Sequence, residues 1–296
     1  MPNNHRMRSL LRGFLVALGY LPLVVVHGLA SMIGGLLWVL PNSRKRVALR
    51  HLDLCLPELP QAERRDIARR SLGHFLKAVL ESPAIWFGPE RRLRRWLHDP
   101  VAAARLRELA GENGTIVLCP HIGSWELAGM FCASVGRITS LYKPQKGAID
   151  ALIVEGRSRL GANLVPTSGA GVKALLQALH AGEMIGVLPD QDPPRGSGVF
   201  APLFGIPAHT TELVSKLAAR THASVCFCYA ERLNWGRGFR FHVKPLGGGI
   251  ADMAEGAAAL NRGIESVLTH LPEQYWWSYK RFRRRPDGER RIYPRR

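Results

Sequence analysis

Acidic residues are scarce in this chain of 296: 23 Asp and Glu stand against 41 Lys and Arg, a formal charge of +18. Between Gly13 and Asn42 charge of either sign is missing altogether. The five cysteines, Cys55, Cys119, Cys132, Cys226 and Cys228, include no Cys-x-x-Cys pair. An odd, scattered set argues against a disulfide framework and for a reducing compartment. Cys226 and Cys228 lie in an apolar, strand-like run and read as core residues. No His-Glu-x-x-His pattern occurs either, so no metal is assigned and no cofactor is called for. The lack of a Gly-x-Ser-x-Gly elbow argues against a serine hydrolase. Gly169-Ala-Gly171-Val-Lys-Ala174 has the spacing of a dinucleotide turn, but it follows a short strand broken by Pro166 and reads better as a helix start.

The uncharged stretch is long enough to cross a bilayer, which takes about 20 apolar residues. Pro22, His27 and several glycines interrupt it, so a kinked or in-plane membrane helix is the alternative to a span. A signal peptide fits less well: the apolar part is too long, and no clear small-x-small site follows it before Arg44-Lys45-Arg46. Arginines flank both ends, a symmetry that suits a segment dipping into the cytoplasmic leaflet.

The informative stretch is Thr115-Ile-Val-Leu-Cys-Pro-His121-Ile-Gly-Ser-Trp-Glu126. Its apolar residues read as a short buried strand that Pro120 ends, having no N–H for a ladder. Gly123-Ser124 opens a helix. Residues five apart on one helix point about 140° away from each other, so His121 and Glu126 meet only if His121 lies on the loop before it. A carboxylate on its second nitrogen would make the imidazole a general base. The plainer alternative is a capping glutamate beside an incidental loop histidine.

His121-Ile-Gly-Ser-Trp-Glu126 resembles the His-x-x-x-x-Asp/Glu signature of the glycerolipid and lysophospholipid acyltransferases, and within them the late (lauroyl/myristoyl) acyltransferases of lipid A biosynthesis. Further blocks run from about Arg46 to about Pro286. Arg46 to Glu58 is similar to an opening block ending in Pro-Glu, and Tyr142-Lys143-Pro144 stands where the family shows Tyr-Arg-Pro. Arg157-Ser-Arg159 resembles a Gly-Arg-x-Arg block, and Asp190-Gln191-Asp192 an Asp-x-Asp element. Phe200-Ala-Pro-Leu-Phe204-Gly205-Ile-Pro207 looks like an aromatic-Gly-x-Pro loop after the active-site strand, and Thr210-Thr211 is expected to open the next helix. Pro272 to Phe282 is similar to a Pro-x-Gln-Tyr-x-Trp block, departing at Ser278-Tyr279. Aromatics beside arginines there suit a membrane interface, and no nucleic-acid motif accompanies them.

The expected fold is α/β: a mixed sheet flanked by helices, with an N-terminal membrane helix and a helical preface. Residues 1–42 form the membrane-associating segment and 43–296 the acyltransferase domain, divided into a preface (43–110), a catalytic core (111–285) and a basic tail (286–296). Within the preface, the helix from Gln61 is expected to end at Glu81, before Ser82-Pro83. The resemblance implies acyl transfer from acyl carrier protein, or alternatively acyl-CoA, to a hydroxyl of a lipid A precursor or related anionic glycolipid. His121 and Glu126 are the expected catalytic residues, and Tyr142, Lys143, Arg157, Arg159 and Asp190 the substrate-binding ones. The arginines would contact an acceptor phosphate and Asp190 would hold one of them. The protein is expected at the inner membrane with its catalytic domain facing the cytoplasm. A phosphatidylinositol mannoside or lysophospholipid acceptor is the alternative, and an anionic-lipid-binding membrane protein the non-enzymatic one.

Overall fold

The computed structural model describes residues 2–293. Six helices come first: α1 (Pro2–Tyr20), α2 (Leu23–Val39), α3 (Ser43–Cys55), α4 (Gln61–Phe87), α5 (Glu90–Leu97) and α6 (Pro100–Glu108). Alternation of strand and helix follows: β1 (Thr115–Leu118), α7 (Trp125–Val135), β2 (Ile138–Tyr142), α8 (Ala148–Arg157), β3 (Asn163–Pro166), α9 (Gly169–His180) and β4 (Met184–Val187). After β4 come β5 (Gly198–Leu203), β6 (Ile206–Thr211), α10 (Leu213–Thr221), β7 (Ser224–Arg232), β8 (Phe239–Pro245) and α11 (Gly256–His270).

Six strands make one mixed sheet in the order β3-β2-β4-β1-β7-β8, with only β8 antiparallel to its neighbour. Because side chains alternate across a strand, β1 sends Ile116 and Leu118 to one face and Val117 to the other. β7 divides likewise, with Phe227 and Tyr229 opposite Cys226 and Cys228. The first face packs on α3, α9, α10 and α11 through residues such as Leu52, Leu175, Val214 and Leu260. The second packs on α5, α6 and α7 through Leu93, Leu106, Leu127 and Phe131. A strand that is apolar on both faces must be covered on both, which is why the short runs at 116–118 and 184–187 end in the centre of the sheet.

Three expectations are corrected. The helix from Gln61 does not stop at Glu81; α4 continues through Pro83 to Phe87, held by the burial of Glu81, Ala84 and Ile85 on neighbouring elements. The stretch after Phe200 is not a plain loop but the two-stranded hairpin of β5 and β6, in which Pro202 faces Pro207 and Phe204-Gly205 form a turn with both residues left-handed. Thr210-Thr211 therefore end a strand rather than open a helix, and α10 begins at Leu213.

The N-terminal helix is also revised. Among the described residues no single helix is long and apolar enough to cross a membrane; α1 and α2 meet that length only together, and they are bent by 105° at the break. Pro22 stands at that break as the residue before α2. Both helices lie on α4. At Gly34 the approach is so close that an added Cβ would stand 2.7 Å from the Gly73 Cα. His27 is buried there too, its Nε2 2.9 Å from Oε2 of Glu81 on α4. Arg232 at the end of β7 grips the same carboxylate, Nη2 to Oε1 at 2.6 Å. A histidine that looks like a blemish in an apolar run is thus one member of a buried hydrogen-bonded triad with Glu81 and Arg232.

Candidate active site

β1 and β4 are hydrogen-bonded neighbours, so the residues that follow them emerge side by side at the carboxyl edge of the sheet. The chain turns toward α7 on one face after β1 and, after β4, reaches α10 on the other. Open α/β sheets bind ligands where successive connections part in this way.

His121 follows Pro120 on the turn before α7. Its main chain is fixed on both sides: its carbonyl accepts from the Trp276 N–H at 3.1 Å, and Ser124 N–H donates to Ala230 O at 2.8 Å. Gly123 has φ +58, and a Cβ there would lie 2.0 Å from Ala230 O, so the turn demands glycine. The imidazole is buried between Trp125 and Trp276, with ring centroids 5.2 and 5.4 Å away.

The carboxylate on this imidazole is Asp190, not Glu126. Asp190 Oδ1 is 3.0 Å from His121 Nδ1, and Oδ2 accepts from the His121 backbone N–H at 3.1 Å. Burial pushes the Asp190 carboxyl upward, but the His121 charge and its hydrogen bonds outweigh burial and hold the carboxyl below its ordinary value. On the other side of the ring, the Gln191 side-chain nitrogen lies 3.1 Å from Nε2. A proton on Nδ1 directed at Asp190 leaves the Nε2 lone pair facing that amide, the tautomer a base requires.

Glu126 instead binds Arg157, which donates through Nε at 2.9 Å and Nη2 at 2.5 Å; Trp86 Nε1 adds a third bond at 3.1 Å. On the first turn of α7 its side chain faces α4 and α8, away from the loop. The roles expected for the two carboxylates are therefore exchanged: Asp190 was expected on an arginine and Glu126 on the histidine. Arg159 is bound to backbone carbonyls of Ile85, Trp86 and Gly88 at the end of α4, and so closes that helix. Tyr142 is half-buried at the end of β2, where its carbonyl accepts from Thr167 N–H, and Lys143 beside it is exposed.

An apolar cavity opens beside this cluster. Its wall is formed by Trp125, Met130, Ile138, Leu141, Leu164 and Val187, with Glu126 and Arg157 as its polar side. Reading the sequence did not single out Gln191, Trp125 or Trp276 as site residues. Gln191 and Trp125 lie inside the quoted motifs, but which ring atoms they meet depends on the pairing of β1 with β4.

The model of the bacterial lipid A biosynthesis acyltransferase family matches residues 3–284. The chain is 28% identical over 279 residues to the lipid A biosynthesis palmitoleoyltransferase of Escherichia coli (strain K12), covering 92% of this chain and 90% of the relative. Identity to the lipid A biosynthesis lauroyltransferase of the same strain is 29% over 277 residues, 90% of this chain and 88% of the relative. A lipid A biosynthesis acyltransferase of Haemophilus influenzae (strain ATCC 51907 / DSM 11121 / KW20 / Rd) is 26% identical over 282 residues, 93% and 87% of the two chains. With the match running from the first helix to the last residues of the core, this chain belongs to the bacterial lipid A biosynthesis acyltransferase family and is an acyltransferase.

Proposed function

We propose that this enzyme transfers a fatty acyl chain from a thioester on acyl carrier protein to a hydroxyl of a lipid A precursor. The observation that carries this reading is the His121–Asp190 pair, 3.0 Å apart, with the imidazole against Trp125, a wall residue of the apolar cavity. Nε2 takes the proton from the acceptor hydroxyl as its oxygen attacks the thioester carbonyl, and Asp190 stabilises the imidazolium. The C–S bond then breaks, the ester C–O bond remains, and the departing thiolate receives the proton from Nε2. Gly123 and Ser124 N–H are both bonded to carbonyls, so the developing oxyanion draws on the N–H groups of the first turn of α7 and on Arg157, which Glu126 orients. Trp125, Met130 and Leu164 would line the acyl chain.

The basic surface suits an acidic carrier protein as donor. The names of the relatives support a lipid A acceptor over a phosphatidylinositol mannoside or a lysophospholipid. At the membrane, we take α1 and α2 to lie in the plane of the cytoplasmic leaflet of the inner membrane. Both pack on α4, and their outer side shows Leu10, Phe14, Met32 and Leu36 to solvent. Trp235, 86% exposed, neighbours the start of α2 and extends this face with an interfacial aromatic.

Purified enzyme in detergent, given acyl carrier protein thioesters, acyl-CoA, a lipid A precursor and lysophospholipids, tests the reading by mass spectrometry of the lipids. A carrier-dependent mass gain on the lipid A precursor is expected. Transfer to lysophospholipid alone would refute the acceptor assignment.

A further inference from the structure

A second histidine–aspartate pair lies beside the first and takes no part in the mechanism above. His209, on β6, has its Nδ1 2.9 Å from Asp192 Oδ1, and its side chain is 8% exposed. Arg284 donates to the same Oδ1 from Nη1 at 2.8 Å, and to the Pro193 carbonyl. Asp192 is two residues beyond Asp190, and its backbone N–H donates to the Tyr279 hydroxyl at 3.1 Å. Tyr279 packs on Trp276, which packs on His121, so the two pairs share one rim.

Resting on the acyltransferase reading, we propose that His209 and Arg284, held by Asp192, form a binding site for a phosphoryl group of the acceptor lipid. Among the described residues His209 Nε2 has no hydrogen-bond partner, and neither do Nε and Nη2 of Arg284, whose side chain is 30% exposed. Arg284 Nη1 also lies 3.1 Å from His209 Nδ1, and with Nδ1 accepting from it the ring proton sits on Nε2 as a donor to an arriving anion. The planar guanidinium adds two more donors in a geometry that matches phosphate.

Arg281 lies buried behind the hairpin, donating to the His209 carbonyl at 2.7 Å and to Thr210 Oγ1 at 2.9 Å, with its Nε unbonded among the described residues. Arg195 and Arg283 are exposed nearby in sequence. A clip that merely tied the C-terminal segment to the hairpin would be complete with the arginine-to-carbonyl bonds and would need no imidazole. Arg157 and Arg159 are the expected phosphate ligands from sequence, yet one is bound by Glu126 and the other by carbonyls. Among the described residues each of these keeps one side-chain nitrogen without a partner, whereas Arg284 keeps two, Nε and Nη2.

The phosphoryl group has two sources in this reaction, the acceptor's headgroup and the phosphodiester arm of the carrier protein. The experiment uses full-length wild-type enzyme, His209→Gln and Arg284→Gln in nonionic micelles. Equilibrium binding is measured for a glucosamine disaccharide lipid with and without its phosphates, alongside KM for acceptor and donor. Wild-type enzyme should prefer the phosphorylated lipid at least about tenfold, and each substitution should reduce that preference to within about twofold. The change should appear in the acceptor's KM more than in kcat. Retention of the full preference in both variants overturns the site, and so does a shift confined to the donor's KM, which would move the phosphoryl group to the carrier arm. Arg284 is partly exposed, so its substitution serves if His209→Gln does not fold. Should the wild type acylate no glycolipid at all, the functional reading falls, while the binding comparison still decides this site.

Discussion

Of the two carboxylates at the proposed site, Asp190 binds His121 and Glu126 binds Arg157, and the two make separable predictions. Asp190→Asn keeps the shape but removes the charge that stabilises a protonated His121 and fixes its tautomer. The loss in kcat should be about four orders of magnitude, as for a comparable base-orienting aspartate. Glu126→Gln weakens the hold on Arg157 and leaves the imidazole with its partner. Losing charge-assisted bonds there is worth about 1.5–3 kcal/mol, or roughly ten- to hundredfold. Steady-state kinetics of the two variants order them; a larger loss from Glu126→Gln than from Asp190→Asn would refute this assignment of roles. Gly123→Ala tests the turn that carries His121. The left-handed backbone alone costs about 1–2 kcal/mol, and the overlap with Ala230 O must be relieved by moving the loop. Activity should fall more steeply than thermal stability, because the loop is local and His121 is on it.

At the scale of elements, the N-terminal helices behave as part of the body. From its composition, residues 13–42 read as a detachable anchor. The buried triad of His27, Glu81 and Arg232 argues otherwise: Glu81 and Arg232 are almost wholly buried, and α2 supplies the third member. Removing one charge from a buried ion pair costs about 3–5 kcal/mol, because the other is left uncompensated. Glu81→Gln should therefore lower the melting temperature by roughly 6–20 °C. Deleting residues 1–42 should yield aggregated protein rather than a soluble enzyme, since it uncovers the α4 surface at Gly73 and strips His27 from Glu81. A monodisperse, active truncation with an unchanged melting point would show that α2 is only an anchor. The hairpin of β5 and β6 teaches a related lesson. Two prolines and a Phe-Gly turn hide it from pattern reading, which looks for alternation and Asn-Gly, yet proline is tolerated in a two-stranded ribbon whose outer edges are unpaired.

For the whole molecule the buried titratable groups set the response to acid. Burial pulls the His51 imidazole from 6.5 down to about 4, against the opposing bond to the Trp277 carbonyl. Its unfolded form binds protons first, so its contribution to stability is complete above pH 6.5 and is lost as pH falls toward 4. Burial would raise Glu81, but Arg232 and His27 prevail, and its carboxyl falls from 4.5 to about 2. That contribution is present above pH 4.5 and disappears on further acidification toward 2. Melting temperature should thus decline in two successive windows below neutrality, and His51→Gln should flatten the first. An identical slope in variant and wild type between pH 6.5 and 4 would exclude His51 as the source.

What was legible in the sequence was local. The apolar run ended by Pro120 marked β1, Gly169-Ala-Gly171 marked the start of α9, and the His121-to-Glu126 interval placed the histidine on a loop before a helix. These follow from near-neighbour chemistry: the alternation of a strand, the pitch of a helix, the missing N–H of proline. What lies 69 residues apart was not legible. Asp190 reaches His121 because β1 pairs with β4 rather than with β2, its successor in the chain, and that order is settled by which apolar faces the helices cover. Glu126, five residues from His121, is turned by its helix toward Arg157 and Trp86. Sequence proximity selected the wrong carboxylate, since the direction of a side chain is fixed by the element that carries it and by that element's packing in three dimensions.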